Sequence, residues 1–95
     1  MTIDWSSEKN DWLEKHRGLS FEMVVDKIIN NDILDDISHP NSEKYPNQFI
    51  FIIEIDNYCY TVPYVETSEG VFLKTIIPSR KMTKLYLGAK NENDR

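Results

Sequence analysis

This chain of 95 residues holds one cysteine, three glycines and no long apolar run. Cys59 has no second cysteine to pair with, so no internal disulfide holds the fold. A reducing, cytoplasmic setting is the expectation. So few glycines leave nothing from which to build a glycine-rich phosphate cradle. Cys and His at zinc spacing are missing, as is a carboxylate loop of the calcium type, so no metal and no other cofactor is expected. No segment has the apolar length to span a bilayer. The opening M-T-I-D-W-S-S-E-K-N is polar and carries acids, unlike a secretory signal, so no membrane partner is expected. Repeats and low-complexity tracts are missing too.

Positive charge is scarce except in one place. The formal net charge is -5. Residues 1–70 hold 14 acids against 5 Lys or Arg. Residues 71–90 hold no acid and five bases, Lys74, Arg80, Lys81, Lys84 and Lys90. The centre of that stretch reads T-I-I-P-S-R-K-M-T-K-L-Y, Thr75 to Tyr86. A local basic face governs phosphate contact more than the global charge does. The acidic majority suits a basic protein partner. The plainer account of the basic segment is a helix whose cations are solvated or answer its dipole.

The hydrophobic pattern predicts one small α+β domain over 1–88, with a loose polar tail at 89–95. Ser6 or Ser7 caps a first helix that runs to about His16 and ends at Gly18. Ser20 caps a second, in which Phe21, Val24, Val25, Ile28 and Ile29 form one apolar face. Asn30-Asn31-Asp32 stops it. Four strands follow as an antiparallel meander. These are Ile33–Ile37, Phe49–Ile55, Tyr58–Val65 and Val71–Ile77, with a hairpin turn at Asp56-Asn57. Pro63 lacks a ladder donor, which implies an edge strand or a bulge. Pro78 ends the last strand, and a short helix from Ser79 or Thr83 runs to Leu87 with Gly88 as its cap. Trp5 and Trp12 are expected in the core beneath the helices.

Three motifs, I-D-W-S-S-E-K-N, R-G-L-S-F-E and S-R-K-M-T-K-L-Y, stand in this order on matching elements. Together they resemble the BrnT family, the toxin halves of bacterial type II toxin–antitoxin pairs, over about residues 3–87. Family members read W-D-x-x-K near the start, K-H-G-(V/I)-S-F-E-E after the first helix and R-K-A-T before the last. The chain departs from these at Ser6 for the Asp, Arg17 for the His and Met82 for the Ala. The resemblance implies a RelE-like fold, with helices packed on one face of an antiparallel sheet. It implies a metal-independent endoribonuclease that cuts mRNA, and a cognate antitoxin that neutralises it. Operator DNA would be met only through that antitoxin.

Metal-free RNA cleavage needs a base for the 2′-hydroxyl, an acid for the leaving 5′-oxygen and a cation for the phosphate. The arginine fork suits the last role, which makes Arg80 the first candidate, with Lys81 beside it. Lys84 shares a helix face with Arg80, and Lys74 on the preceding strand serves if it faces the same groove. His39, close to Lys44 and Tyr45, is the candidate proton carrier; the alternative is a simple turn residue. Lys44, Tyr45 and Tyr86 are candidate RNA-binding groups; Tyr45, Tyr58, Tyr60, Tyr64 and Tyr86 could stack bases or donate protons, but Tyr58, Tyr60 and Tyr64 share a strand face that suits packing better. A salt bridge to one of the acids is the structural alternative for Arg80, and a solvated face for Lys81 and Lys84. A protein-interaction module without catalysis is the competing reading of the whole chain.

Overall fold

Ser6 takes the first cap: its hydroxyl accepts from the Lys9 amide, opening helix α1, Ser7–Arg17. In this computed structural model, which describes residues 2–93 and the last five of these by backbone alone, Gly18 closes α1 in the left-handed conformation at φ 65°. Ser20 caps α2, Phe21–Ile29, through the Met23 amide. Ahead of them lies strand β1, Thr2–Trp5. After them come β2, Asp35–Ser38; β3, Gln48–Ile55; β4, Tyr58–Glu66; β5, Gly70–Leu73; β6, Ile77–Pro78; and helix α3, Arg80–Asn93.

The architecture is α+β, with three helices and a mixed six-stranded sheet in the order β1-β5-β4-β3-β2. Strands β2 to β5 form the expected antiparallel meander. Asp56 and Asn57 turn the central hairpin with φ 52° and 65°, the doubly left-handed geometry that two-residue loops favour. Strand β1 was not foreseen. It lies parallel to β5, with Thr2 opposite Gly70 and Trp5 opposite Leu73. Gly70 is required there, because a Cβ at that position would sit 2.0 Å from the Thr2 carbonyl oxygen.

The long strand expected at Val71–Ile77 is two short ones. The chain leaves the sheet at residues 74–76 and returns as β6, which pairs Ile77 with Thr61 and Pro78 with Tyr60. That break explains Pro63, which sits in a central strand rather than at an edge. The Pro63 carbonyl accepts from the Lys74 amide at 2.8 Å, so this residue's backbone faces the break between β5 and β6. The bond that the missing N–H forgoes lies past the end of β5, where the chain leaves the sheet.

Both sheet faces are covered, where the resemblance implied one. Strand β3 alternates, and its alternation divides the core. Ile53, with Phe49, Phe51 and Ile55, packs with Leu13, Leu19, Phe21 and Val24 of the α1–α2 layer. Ile52, with Ile50, packs with Cys59, Met82, Tyr86 and Leu87 beneath α3. Burial on both sides is why β3 reads as a nearly continuous apolar run.

Buried Asn10 joins α1 to α2. Its Oδ1 accepts from the Phe21 amide at 2.7 Å, and its Nδ2 donates to Glu22 Oε1 at 2.8 Å. Donation from Asn10 is the main reason the Glu22 carboxyl lies below its ordinary value. Two apolar residues defy expectation. Ile29 is 71% exposed, because it ends α2 at the margin of the apolar stripe. Trp12 is 40% exposed and belongs to the outer side of α1.

Helix α3 runs through Gly88 to Asn93 rather than stopping at Leu87. Nothing near Gly88 forces a turn. The expected tail at 89–95 falls in part on this helix, and Asp94 and Arg95 lie outside the described residues. Among the described residues no helix is long and apolar enough to cross a membrane.

Candidate functional site

The start of α3 is fixed by buried hydrogen bonds. Thr83 Oγ1 accepts from the Cys59 amide at 2.8 Å and donates to the Ser79 carbonyl at 2.8 Å. The Ser79 amide donates to the Cys59 carbonyl, and the Ser79 hydroxyl accepts from the Met82 amide. Ser79 thus caps the helix and ties it to the first residues of β4. Burial pushes the Cys59 thiol above its ordinary pKa, so it is a packing group and not a nucleophile.

Arg80, Lys81 and Lys84 project from this anchored turn and are all exposed. Among the described residues their side chains make no ion pair or hydrogen bond; the ion pair recorded there joins Lys27 to Asp32. The first turn of α3 holds no acid. Cations at the positive end of a helix oppose its dipole, so folding alone does not favour them here. A bound anion would resolve that conflict. Free amides of the first turn and the Arg80 fork offer donors to phosphate oxygens, with Lys81 and Lys84 adding charge.

Lys74 is exposed on the segment that leaves the sheet, level with Pro63 through its own amide. Tyr86 does not join the cations. It packs against the sheet in the layer beneath α3, and its hydroxyl donates to Asp35 Oδ2 at 2.5 Å.

His39, Lys44 and Tyr45 are brought together at the other end of the sheet. The rings of His39 and Tyr45 lie 4.6 Å apart, and Lys44 Nζ lies 5.4 Å from the Tyr45 centroid. His39 Nδ1 accepts from the Asn41 amide at 3.0 Å. This cluster is remote from Arg80. The His39 amide bonds to Gln48, whereas Ser79 bonds to Cys59, which pairs with Glu54. From Gln48 to Glu54 along β3 the backbone covers about 20 Å. His39 therefore cannot share one scissile bond with Arg80. Strand β6 sets Pro78 opposite Tyr60, but Tyr60, and with it Tyr58 two residues earlier, belongs to the sheet face under α1 and α2 and not to the α3 face. Those two rings meet edge to face at 5.9 Å.

Sequence reasoning missed Arg17 and Trp12 as site groups. Arg17 Nη1 donates to the Ile76 carbonyl, 59 positions away, and its guanidinium carbon lies 5.0 Å from the Trp12 ring centroid. The available signal was the spacing on α1. Asn10 and Leu13 mark its buried side, while Lys9 and His16 flank Trp12 on the outer side.

Among the described residues no group of three or more His, Cys, Asp or Glu stands ready to hold a metal. Compared with known proteins, the chain matches no family model, no curated protein and no solved structure.

Proposed function

We propose that the domain is an RNA-cleaving toxin of the BrnT kind, neutralised by a cognate antitoxin, whose phosphate-binding element is the start of α3. The observation that carries this reading is the set of unpaired cations Arg80 and Lys81 on the anchored first turn of α3, with Lys84 one turn on. The motif resemblance falls on the same residues. In the reaction the 2′-oxygen forms a bond to phosphorus and the bond to the 5′-oxygen breaks. Arg80 stabilises the charge that builds on the phosphate oxygens. The proton from the 2′-hydroxyl passes to a base, and one returns to the 5′-oxygen. His39 is too distant to carry that traffic.

Expression of the wild type and of Arg80→Ala without any partner tests the proposal through growth and mRNA integrity. The wild type should arrest growth and fragment mRNA, and the variant should do neither. Intact mRNA with the wild type sinks the enzyme reading. Equal cutting by both removes Arg80 from its role. The separation of His39 from Arg80 and the 14 acids of residues 1–70 favour a second reading. In it the fold serves a partner protein without catalysis, and the wild type leaves mRNA intact while binding that partner.

A further inference from the structure

Trp12 is a large apolar side chain left on the surface, and three neighbours hold it in place. One turn ahead, Lys9 Nζ lies 4.4 Å from its ring centroid. One turn behind, the His16 ring stacks on it at 4.8 Å with 20° between the planes. His16 is itself fixed, since its Nδ1 donates to the Trp12 carbonyl at 3.1 Å. Arg17 completes the set at 5.0 Å. Glu8, Asp11 and Glu14 stand on the same helix, yet none pairs with Lys9 or Arg17 among the described residues. The cations gather on the indole instead of on the acids.

A cleft of about 290 Å³, lined by Ser6, Glu8, Lys9 and Trp12, opens on the Lys9 side of the ring. That volume admits a planar heterocycle. Lys9 swings on a flexible four-carbon stem, so an arriving base moves its ammonium from the ring towards the adjoining phosphate. The stacked His16 ring keeps the indole from turning away. The platform is also joined to the basic segment. Arg17 bridges Trp12 and the Ile76 carbonyl, four residues before Arg80. Four extended residues cover about 13 Å.

We infer that Trp12 is a stacking platform for one unpaired base of a single-stranded RNA whose backbone runs from Arg17 to the start of α3. This rests on the RNA reading above and narrows its substrate to single strands, because a base within a duplex offers no free face. Lys9 and Arg17 hold the flanking phosphates.

The test measures binding of a short oligouridylate, and of a duplex RNA of equal length, to the wild type, Trp12→Ala, Trp12→Phe and Arg80→Ala, with melting curves to verify folding. Trp12→Ala should weaken oligouridylate binding by about tenfold, the effect of one lost base–aromatic stack. Trp12→Phe should restore most of it, and duplex binding should be equally weak in all three proteins that keep Arg80. If Arg80→Ala loses oligouridylate while Trp12→Ala binds like the wild type, the platform is wrong and the RNA reading survives. If the wild type binds neither RNA, both are overturned.

Discussion

Tyr86 donates its hydroxyl hydrogen to Oδ2 of Asp35, 51 positions earlier, and so ties helix α3 to the outermost strand of the meander. The neighbouring Asp36 accepts from Tyr64 at 2.7 Å. Tyr64 packs in the layer beneath α1 and α2, whereas Tyr86 packs beneath α3. Two successive carboxylates on β2 are thus bound from opposite faces of the sheet.

That arrangement makes stability depend on pH in a defined way. The Tyr86 hydrogen bond, aided by the Asp36 amide, holds the Asp35 carboxyl below its ordinary value. A lowered native pKa means that the unfolded chain takes up the proton first. The contribution is therefore complete above about pH 4 and is lost as pH falls through the native value. Tyr86 is raised by the same bond, so its contribution is complete below about pH 10 and is lost as pH rises through its native value. Tyr86→Phe should lower Tm by a few degrees at neutral pH. The gap to wild type should narrow as pH falls below about 4 and again as it rises above about 10. Thermal melts across that range check it, and a gap independent of pH would count against the assignment.

Thr83→Val keeps the shape of a 7%-exposed side chain and deletes its two hydrogen bonds. The Cys59 amide is left buried without a partner, which costs about 1–3 kcal/mol. Tm should fall by about 4–8 °C for each kcal/mol lost. Under the proposed RNA reading, affinity for RNA should fall as well, because the turn carrying Arg80 loosens. Unchanged affinity in a destabilised variant would show that the clamp serves stability alone.

Asn10→Ala removes the acceptor for the Phe21 amide and the donor to Glu22 together. The junction of the two helices is buried at Asn10, so a loss of about 2 kcal/mol is expected. Urea denaturation should show a lower midpoint with an unchanged slope.

Gly70→Ala would press a Cβ against the Thr2 backbone at 2.0 Å. Strand β1 should separate from β5 while the meander persists. Hydrogen exchange should then quicken at Thr2–Trp5 and stay slow in β3. Slow exchange at both would refute the claim that close approach fixes this glycine.

Local chemistry was the part of the fold legible in the sequence. Ser6, Gly18, Ser20 and the Asp56-Asn57 turn act through neighbours within a few residues, and each stands where its chemistry places it. The unread features depend on distant partners. T-I-D-W is too short to announce a strand, and its parallel partner begins at Gly70. Gly88 resembled a terminator, but a glycine only weakens a helix, and α3 continues through it. The basic turn was visible from charge alone. His39 was grouped with it because sequence cannot reveal that β3 holds the two about 20 Å apart. Trp12 was assigned to the core by its bulk, although its helix neighbours at the spacing of one turn, Lys9 and His16, marked the outer side.

The pairing of β1 with β5 also bears on the order of assembly. Thr2 and Glu69, joined by a backbone hydrogen bond, are 67 positions apart. A growing chain makes β1 well before its partner exists. The β3–β4 hairpin closes over two residues, whereas β1 must await nearly three quarters of the chain and the largest loop closure in the sheet. Strand β1, made before its partner, is thus among the last of these strands to be protected, and pulse-labelled exchange during refolding should record the amides of Thr2–Trp5 after those of β3 and β4.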